Sequence, residues 1–206
     1  MRSLADKYII DSSSIIDLFR WYPPDMGIFK PIWGRIERIV NDGILISHFE
    51  VYREIERRCD EAREWCRNNR KMFLDLDDEQ VVIIGNVREK YEENYWNTKI
   101  NQTAPWADPW LIALAIQLKR RGEIFGMNTE VKIVTQENKN KRNNIPRIAQ
   151  EFGFESLKLI EFFPGYRYKV GVKKMVKEID FGKTIFTLFR RAEYPEYRHL
   201  YSEMQF

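Results

Sequence analysis

The chain reads as an α/β protein with a mainly parallel sheet, and three observations carry that expectation. Short apolar runs (KYII, ILIS, VKIV) recur along the 206 residues, segments with helical spacing separate them, and at two of the runs the apolar stretch ends abruptly in polar residues. Strands alternating with helices imply a parallel sheet covered on both faces, with the carboxyl ends of its strands facing a crevice.

Taken in order, KYIID is a short buried strand. SSSIIDLFRWYPP is a capped helical turn broken by Pro23 and Pro24. Over 29–40 the apolar residues Ile32, Trp33, Ile36, Ile39 and Val40 recur three and four apart, which is helical spacing, and Asp42-Gly43 stops the helix before the strand ILIS. A long charged helical region is expected over 48–74, and a further helix within 78–95. Over 107–120 Asp108 suits the N-cap, Pro109 the first turn, and Leu111, Ile112, Ala115, Ile116 and Leu118 an apolar face. VKIVT is then a strand, 144–152 a helix closed by Gly153, and LKLIEFF a last strand before Pro164-Gly165.

Composition narrows the class. Hydrophobic residues make up 44% and aromatics 14%, enough to bury a core, which excludes disorder throughout. No stretch approaches the roughly 18 apolar residues of a membrane span, and MRSLADK lacks a signal-peptide apolar region, so a cytoplasmic location without membrane contact is expected. Cys59 and Cys66 form no CxxC pair and read as reduced thiols. The net charge of +3 is unevenly divided. Residues 165–206 hold nine Lys or Arg against five acids, +4, and the remainder carries −1. That asymmetry fits contact with a polyanion and fits equally a solvated surface of mixed charge.

Four acids sit where such a sheet gathers its loops: Asp11, Glu54, Asp108 and Glu137. Carboxylates without His or Cys are the donor set that a hard divalent cation takes. Each also has a plain structural role. Asp11 and Asp108 suit helix caps, Glu54 suits a solvated charged face, and Glu137 suits a position that acts through another group. Ser12, Ser13 and Thr135 offer hydroxyls to a ligating carboxylate or a bound water at the same strand ends. Lys139, Lys141 and Arg142 could grip phosphates from the loop after VKIVT, or belong to a mobile solvated loop. Trp106 and Trp110, flanking Asp108, suit packing more than a stacking platform. His48 and His199 fit no triad or metal motif, and DFG at 180–182 and GKT at 182–184 are chance matches.

In order, YIIDSSSIIDLF, the Glu in REIERR, ADPWLIALAI, VKIVTQEN and NNIPRIAQEFG resemble a PIN domain over residues 7–163. More narrowly they resemble the PIN-like branch with DPWLIA and VTQE blocks that is grouped with the VapC type of toxin nuclease. The resemblance implies a doubly wound three-layer α/β/α domain over 1–164; residues 165–206, basic and aromatic-rich by composition, lie beyond it as an extension. It implies Mg²⁺- or Mn²⁺-dependent hydrolysis of RNA, an antitoxin protein and a second copy of the chain as partners, and an acidic quartet on Asp11, Glu54, Asp108 and Glu137. It selects Glu54 over Glu50. At Glu137 the chain departs from the family, which more often has Asp directly after the Thr. That departure keeps open a catalytically weak, RNA- or protein-binding module. A haloacid-dehalogenase-type phosphatase also puts Asp after the first strand, but Ser13 occupies the place of its second Asp.

Overall fold

The computed structural model describes residues 6–57, 60–127 and 129–165. Strand β1 (Lys7–Ile10) is the first apolar run, with Ile9 and Ile10 fully buried. Asp11 leaves it in extended backbone and caps α1 (Ser12–Trp21). A short 3-10 turn, Gly27–Phe29, leads into α2 (Lys30–Asn41), which buries the five apolar residues that the spacing singles out. Gly43 then turns with φ +63°, in the left-handed region that favours glycine, and β2 (Leu45–His48) follows, buried along its whole length.

The charged stretch expected as one helical region is broken. It holds α3 (Phe49–Glu56), α4 (Asp60–Asn68), a 3-10 turn at Arg70–Met72 and the two-residue strand β3 (Phe73–Leu74). The segment expected to hold a further helix contains α5 (Asp78–Arg88) and the start of α6 (Glu93–Ile100). Next comes α7 (Asp108–Ile124), longer than its pattern and buried at seven consecutive positions from Leu111 to Gln117, as befits a helix packed on several sides. Strand β4 (Val131–Val134) and α8 (Ile145–Glu151), closed by Gly153 at φ +75°, match the expected positions. LKLIEFF corrects the sequence reading: the last strand, β5 (Glu155–Leu157), ends on its first residue, and LIEFF belongs to α9 (Leu159–Gly165). Leu159, Phe162 and Phe163 recur three and four apart, a helical period that overrides the apolar content.

The described strands form one parallel sheet in the order β3-β2-β1-β4-β5. In register, Ile9 lies beside Ile46 on one side and Ile133 on the other, and Ile10 beside Val134. Right-handed crossovers put α1 to α4 on one face while the chain steps from β1 to β2 to β3. The return across β1 to β4 reverses direction and puts α7 and α8 on the other. Packing agrees: α1 packs on α3 and α4, with Phe19, Trp33 and Trp65 in one aromatic cluster, while α7 packs on α5 and α8. The architecture is three-layer α/β/α, consistent with a PIN-like fold. Its topological switch lies between β1 and β4, where Asp11 and the segment Thr135–Gln136–Glu137 leave the sheet side by side.

Chain contacts divide the protein into two compact units, Met1–Leu159 and Ile160–Phe206. Apart from Gly165, the basic extension expected over 165–206 lies outside the described residues, as do Cys59 and His199. Cys66 is buried. Among the described residues, no helix is long and apolar enough to cross a membrane.

Candidate functional site

Asp11 is 3% exposed, yet both of its oxygens are engaged. Oδ1 accepts the Ser14 N–H at 2.7 Å, closing the cap of α1. Oδ2 accepts the Ser13 hydroxyl at 2.6 Å and the Thr135 hydroxyl at 2.8 Å, the last bond joining the carboxyl ends of β1 and β4. Ser13 Oγ and Thr135 Oγ1 in turn accept the N–H groups of Gln136 and Glu137, both at 3.1 Å. Burial pushes the Asp11 carboxyl above its ordinary range, and the donors of Ser13, Ser14 and Thr135 pull it back. Asp11 thus caps α1 and at the same time joins the ends of β1 and β4.

Glu54, on α3, bridges two further segments. Its Oε2 accepts the Ser12 hydroxyl at 2.5 Å and its Oε1 the Ala107 N–H at 2.9 Å, tying the start of α1 to the start of α7. The solvated-face reading thus gives way to an inward one. Ser12 and Thr135 direct their hydroxyl protons to the carboxylates of Glu54 and Asp11, the first of the two kinds of partner expected of them.

Glu137 Oε2 accepts the Ile145 N–H at 2.6 Å, so this acid caps the first turn of α8 from eight residues away. The backbone carbonyl of Glu137 accepts from Lys158 Nζ at 2.6 Å. Burial raises its carboxyl, the Ile145 N–H lowers it, the charge of Asp11 raises it, Lys99 lowers it and Glu54 raises it.

Asp108 departs from the sequence reading. The N-cap of α7 is Ala107, which makes no side-chain cap bond, and Asp108 is the first helical residue. It keeps partial solvent access while its carboxyl lies deep among protein atoms. Burial pushes it well above the ordinary carboxylate range, and the charges of Glu137, Glu54 and Asp11 push in the same direction. The four acids, distant in sequence, thus sense one another at the switch point. The Trp106 indole N–H faces Asp108 and lowers its pKa, but falls short of a formed hydrogen bond.

The donor chemistry, four carboxylates, suits a hard divalent cation. The arrangement is not a finished cage: among the described residues, no three His, Cys, Asp or Glu side chains are grouped so as to hold a metal ion. Asp11, Glu54 and Glu137 are each held by protein donors instead.

A wall of aromatics borders Asp108. Tyr91, Trp96 and Trp106 are packed with ring centroids 5.1–5.6 Å apart, and Tyr95 stacks parallel to Tyr91 at 6.2 Å. The charges of Asp108 and Glu137, added to burial, push the Tyr95 phenol up to about 12 and the Tyr91 phenol well above its usual value. Lys99 Nζ lies 5.6 Å from the Tyr95 ring centre and supplies positive charge near Glu137. Sequence reasoning missed Tyr91, Tyr95 and Lys99; Tyr95 and Lys99 stand four apart on α6, the one signal that links them, while Tyr91 precedes the helix. Trp110 stacks on His48, whose Nδ1 accepts the Glu50 N–H and whose Nε2 meets Gln80 Oε1 at 3.0 Å, so both are packing residues. In the loop after β4, Lys139 and Lys141 are exposed, while Arg142 pairs with Glu92 at 3.3 Å.

A family model described as "Domain of unknown function (DUF4411)" matches residues 8–170. No curated protein and no solved structure matches the chain.

Proposed function

We propose that this chain, which belongs to the DUF4411 family of domains of unknown function, is a divalent-cation-dependent ribonuclease of the PIN type, with its site at the β1/β4 switch point. The observation that carries this reading is the gathering of acids at the strand ends: Asp11 is bonded to Thr135 across β1 and β4, Glu54 reaches the start of α7, and burial first, then the charges of Glu137, Glu54 and Asp11, raise the Asp108 carboxyl. Like charges crowded at the mouth of a parallel sheet destabilise the fold unless a cation answers them, and perturbed carboxylates in such a crevice mark functional sites.

A bound Mg²⁺ or Mn²⁺ would supply phosphate neutralisation, hydroxide near neutral pH and stabilisation of the departing alkoxide. Asp11 and Asp108 are its direct ligands in this reading, with Glu54 and Glu137 acting directly or through water. The protein's own part is orientation. Ser13, Ser14 and Thr135 hold Asp11 in one rotamer, and Ser12 and the Ala107 N–H hold Glu54. Lys139 and Lys141 present positive charge that attracts a phosphate backbone without reading its sequence.

A second reading has its own support. Because three of the four carboxylates are satisfied by protein donors, the same fold could bind RNA without cutting it.

The test is cleavage of a mixed RNA pool in EDTA, Mg²⁺ and Mn²⁺, with Asp108→Asn beside the parent chain. The parent cuts only with a cation, and the variant cuts roughly 100-fold more slowly, the loss expected when several kcal/mol of transition-state stabilisation disappear. If the parent cuts no better than the variant in every arm, the catalytic reading fails; RNA binding indifferent to the cation then supports the binding module.

A further inference from the structure

Two buried donors near the carboxylates have no acceptor. Tyr91 is 6% exposed, and its hydroxyl makes no hydrogen bond; the buried Nε1 of Trp106 makes none either. The two rings pack edge to face at 5.2 Å and 75°, so both donors belong to one wall, and Trp106 stands two residues ahead of Asp108. Buried donors left unmade cost about 1–3 kcal/mol each. Native structures rarely tolerate such a pair without a reason.

The reason stands beside them. An ionised carboxylate has about four acceptor positions. Among the described residues, Asp108 accepts no fully formed hydrogen bond, although the Trp106 N–H faces it and its charge is the first to act on the Tyr91 phenol after burial. Two donors without formed bonds therefore stand in one wall beside a carboxylate that the Trp106 N–H faces. The other three acids of the cluster differ, since Asp11, Glu54 and Glu137 are each already held.

We propose that Tyr91 is a positioning residue: its hydroxyl, with the Trp106 indole N–H, receives the Asp108 carboxylate when a divalent cation occupies the carboxylate cluster, and fixes its orientation toward that cation. This rests on the cation-binding part of the proposed function. The wall then plays the part that outer hydrogen-bond partners play at metal sites, whose removal typically weakens affinity by about 10–100-fold.

Tyr91→Phe and Trp106→Phe test this with Mn²⁺ alone, no RNA being needed. Calorimetric titration of Mn²⁺ and melting in EDTA are measured for each variant and the parent. Because Tyr91→Phe deletes an unpaired buried hydroxyl, its melting temperature in EDTA is no lower than the parent's, while its Mn²⁺ dissociation constant rises about tenfold. Trp106→Phe weakens Mn²⁺ binding in the same direction. Mn²⁺ binding by Tyr91→Phe equal to the parent's would overturn the proposal while leaving the nuclease reading intact. A loss of Mn²⁺ affinity matched by an equal loss of stability in EDTA overturns it too, since Tyr91 would then be a packing residue. A parent chain that binds no Mn²⁺ brings down the cation site itself, and this inference with it.

Discussion

Asp108→Asn melts at a higher temperature than the parent chain in EDTA, and its melting temperature does not respond to Mn²⁺. The sign follows from the direction of the shift. The folded Asp108 carboxyl is raised above its unfolded value, by burial first and then by Glu137, Glu54 and Asp11, so the folded state holds this proton more tightly than the unfolded chain does. The associated stability is fully present below the ordinary carboxylate pKa and is lost as pH climbs through the raised one. At neutral pH without a cation, the ionised group is therefore a liability that Asn removes. Each kcal/mol recovered raises the melting temperature by roughly 2–4 °C in a chain of this size. The parent behaves in the opposite way on adding Mn²⁺ and is stabilised by mass action. Differential scanning calorimetry of both chains, with EDTA and with Mn²⁺, checks the pattern. A variant that melts lower than the parent in EDTA would mean that Asp108 stabilises the fold and is not strained by its neighbours.

Asp11→Ala is expected to lose about 2–4 kcal/mol, the sum of a helix cap and of buried donors left unsatisfied. The Ser14 N–H, the Ser13 hydroxyl and the Thr135 hydroxyl all donate to this carboxylate, and Thr135 is 1% exposed, so water cannot replace the lost acceptor there. The melting temperature falls by roughly 5–15 °C. Asp11→Asn retains an oxygen for the Ser14 N–H and an amide that the rotating hydroxyls can meet as acceptors, so it keeps most of that stability. It nevertheless removes a charge from the cluster, so Mn²⁺ affinity falls in both variants. Chemical denaturation and Mn²⁺ titration of the pair separate the structural role of Asp11 from its site role. Equal stability of Asp11→Ala and the parent would show that the hydrogen bonds around Asp11 contribute nothing to the fold.

Central elements were legible because their signals are strong. KYII, ILIS and VKIV are apolar runs with both faces covered, and their order already implies a parallel sheet. The sheet's edges were not. β3 is two residues long inside a charged region, and β5, in ESL, is half-exposed and has only one apolar residue. Edge strands of that kind carry no period-2 pattern to read. In the site, Asp11 was visible as a strand-end acid, while Asp108 was placed one position early in its helix because a cap and a first-turn acid share one sequence signature. Glu54 is turned inward by partners at Ser12 and Ala107, 42 and 53 residues away, which no local pattern encodes. Apart from Trp106, the aromatic wall comes from a segment without motifs, and only the fold brings Tyr91 and Lys99 to the acids.

In the proposed function, acids from four separate segments answer one divalent cation. Anomalous diffraction from crystals soaked in Mn²⁺ tests it most directly. A single strong peak is predicted at the carboxyl end of β1 and β4, contacted by oxygens of Asp11 and Asp108. A peak elsewhere, such as beside Asp77 and Glu79 where Arg121 now balances the charge, or no peak at the switch point at saturating Mn²⁺, would contradict it.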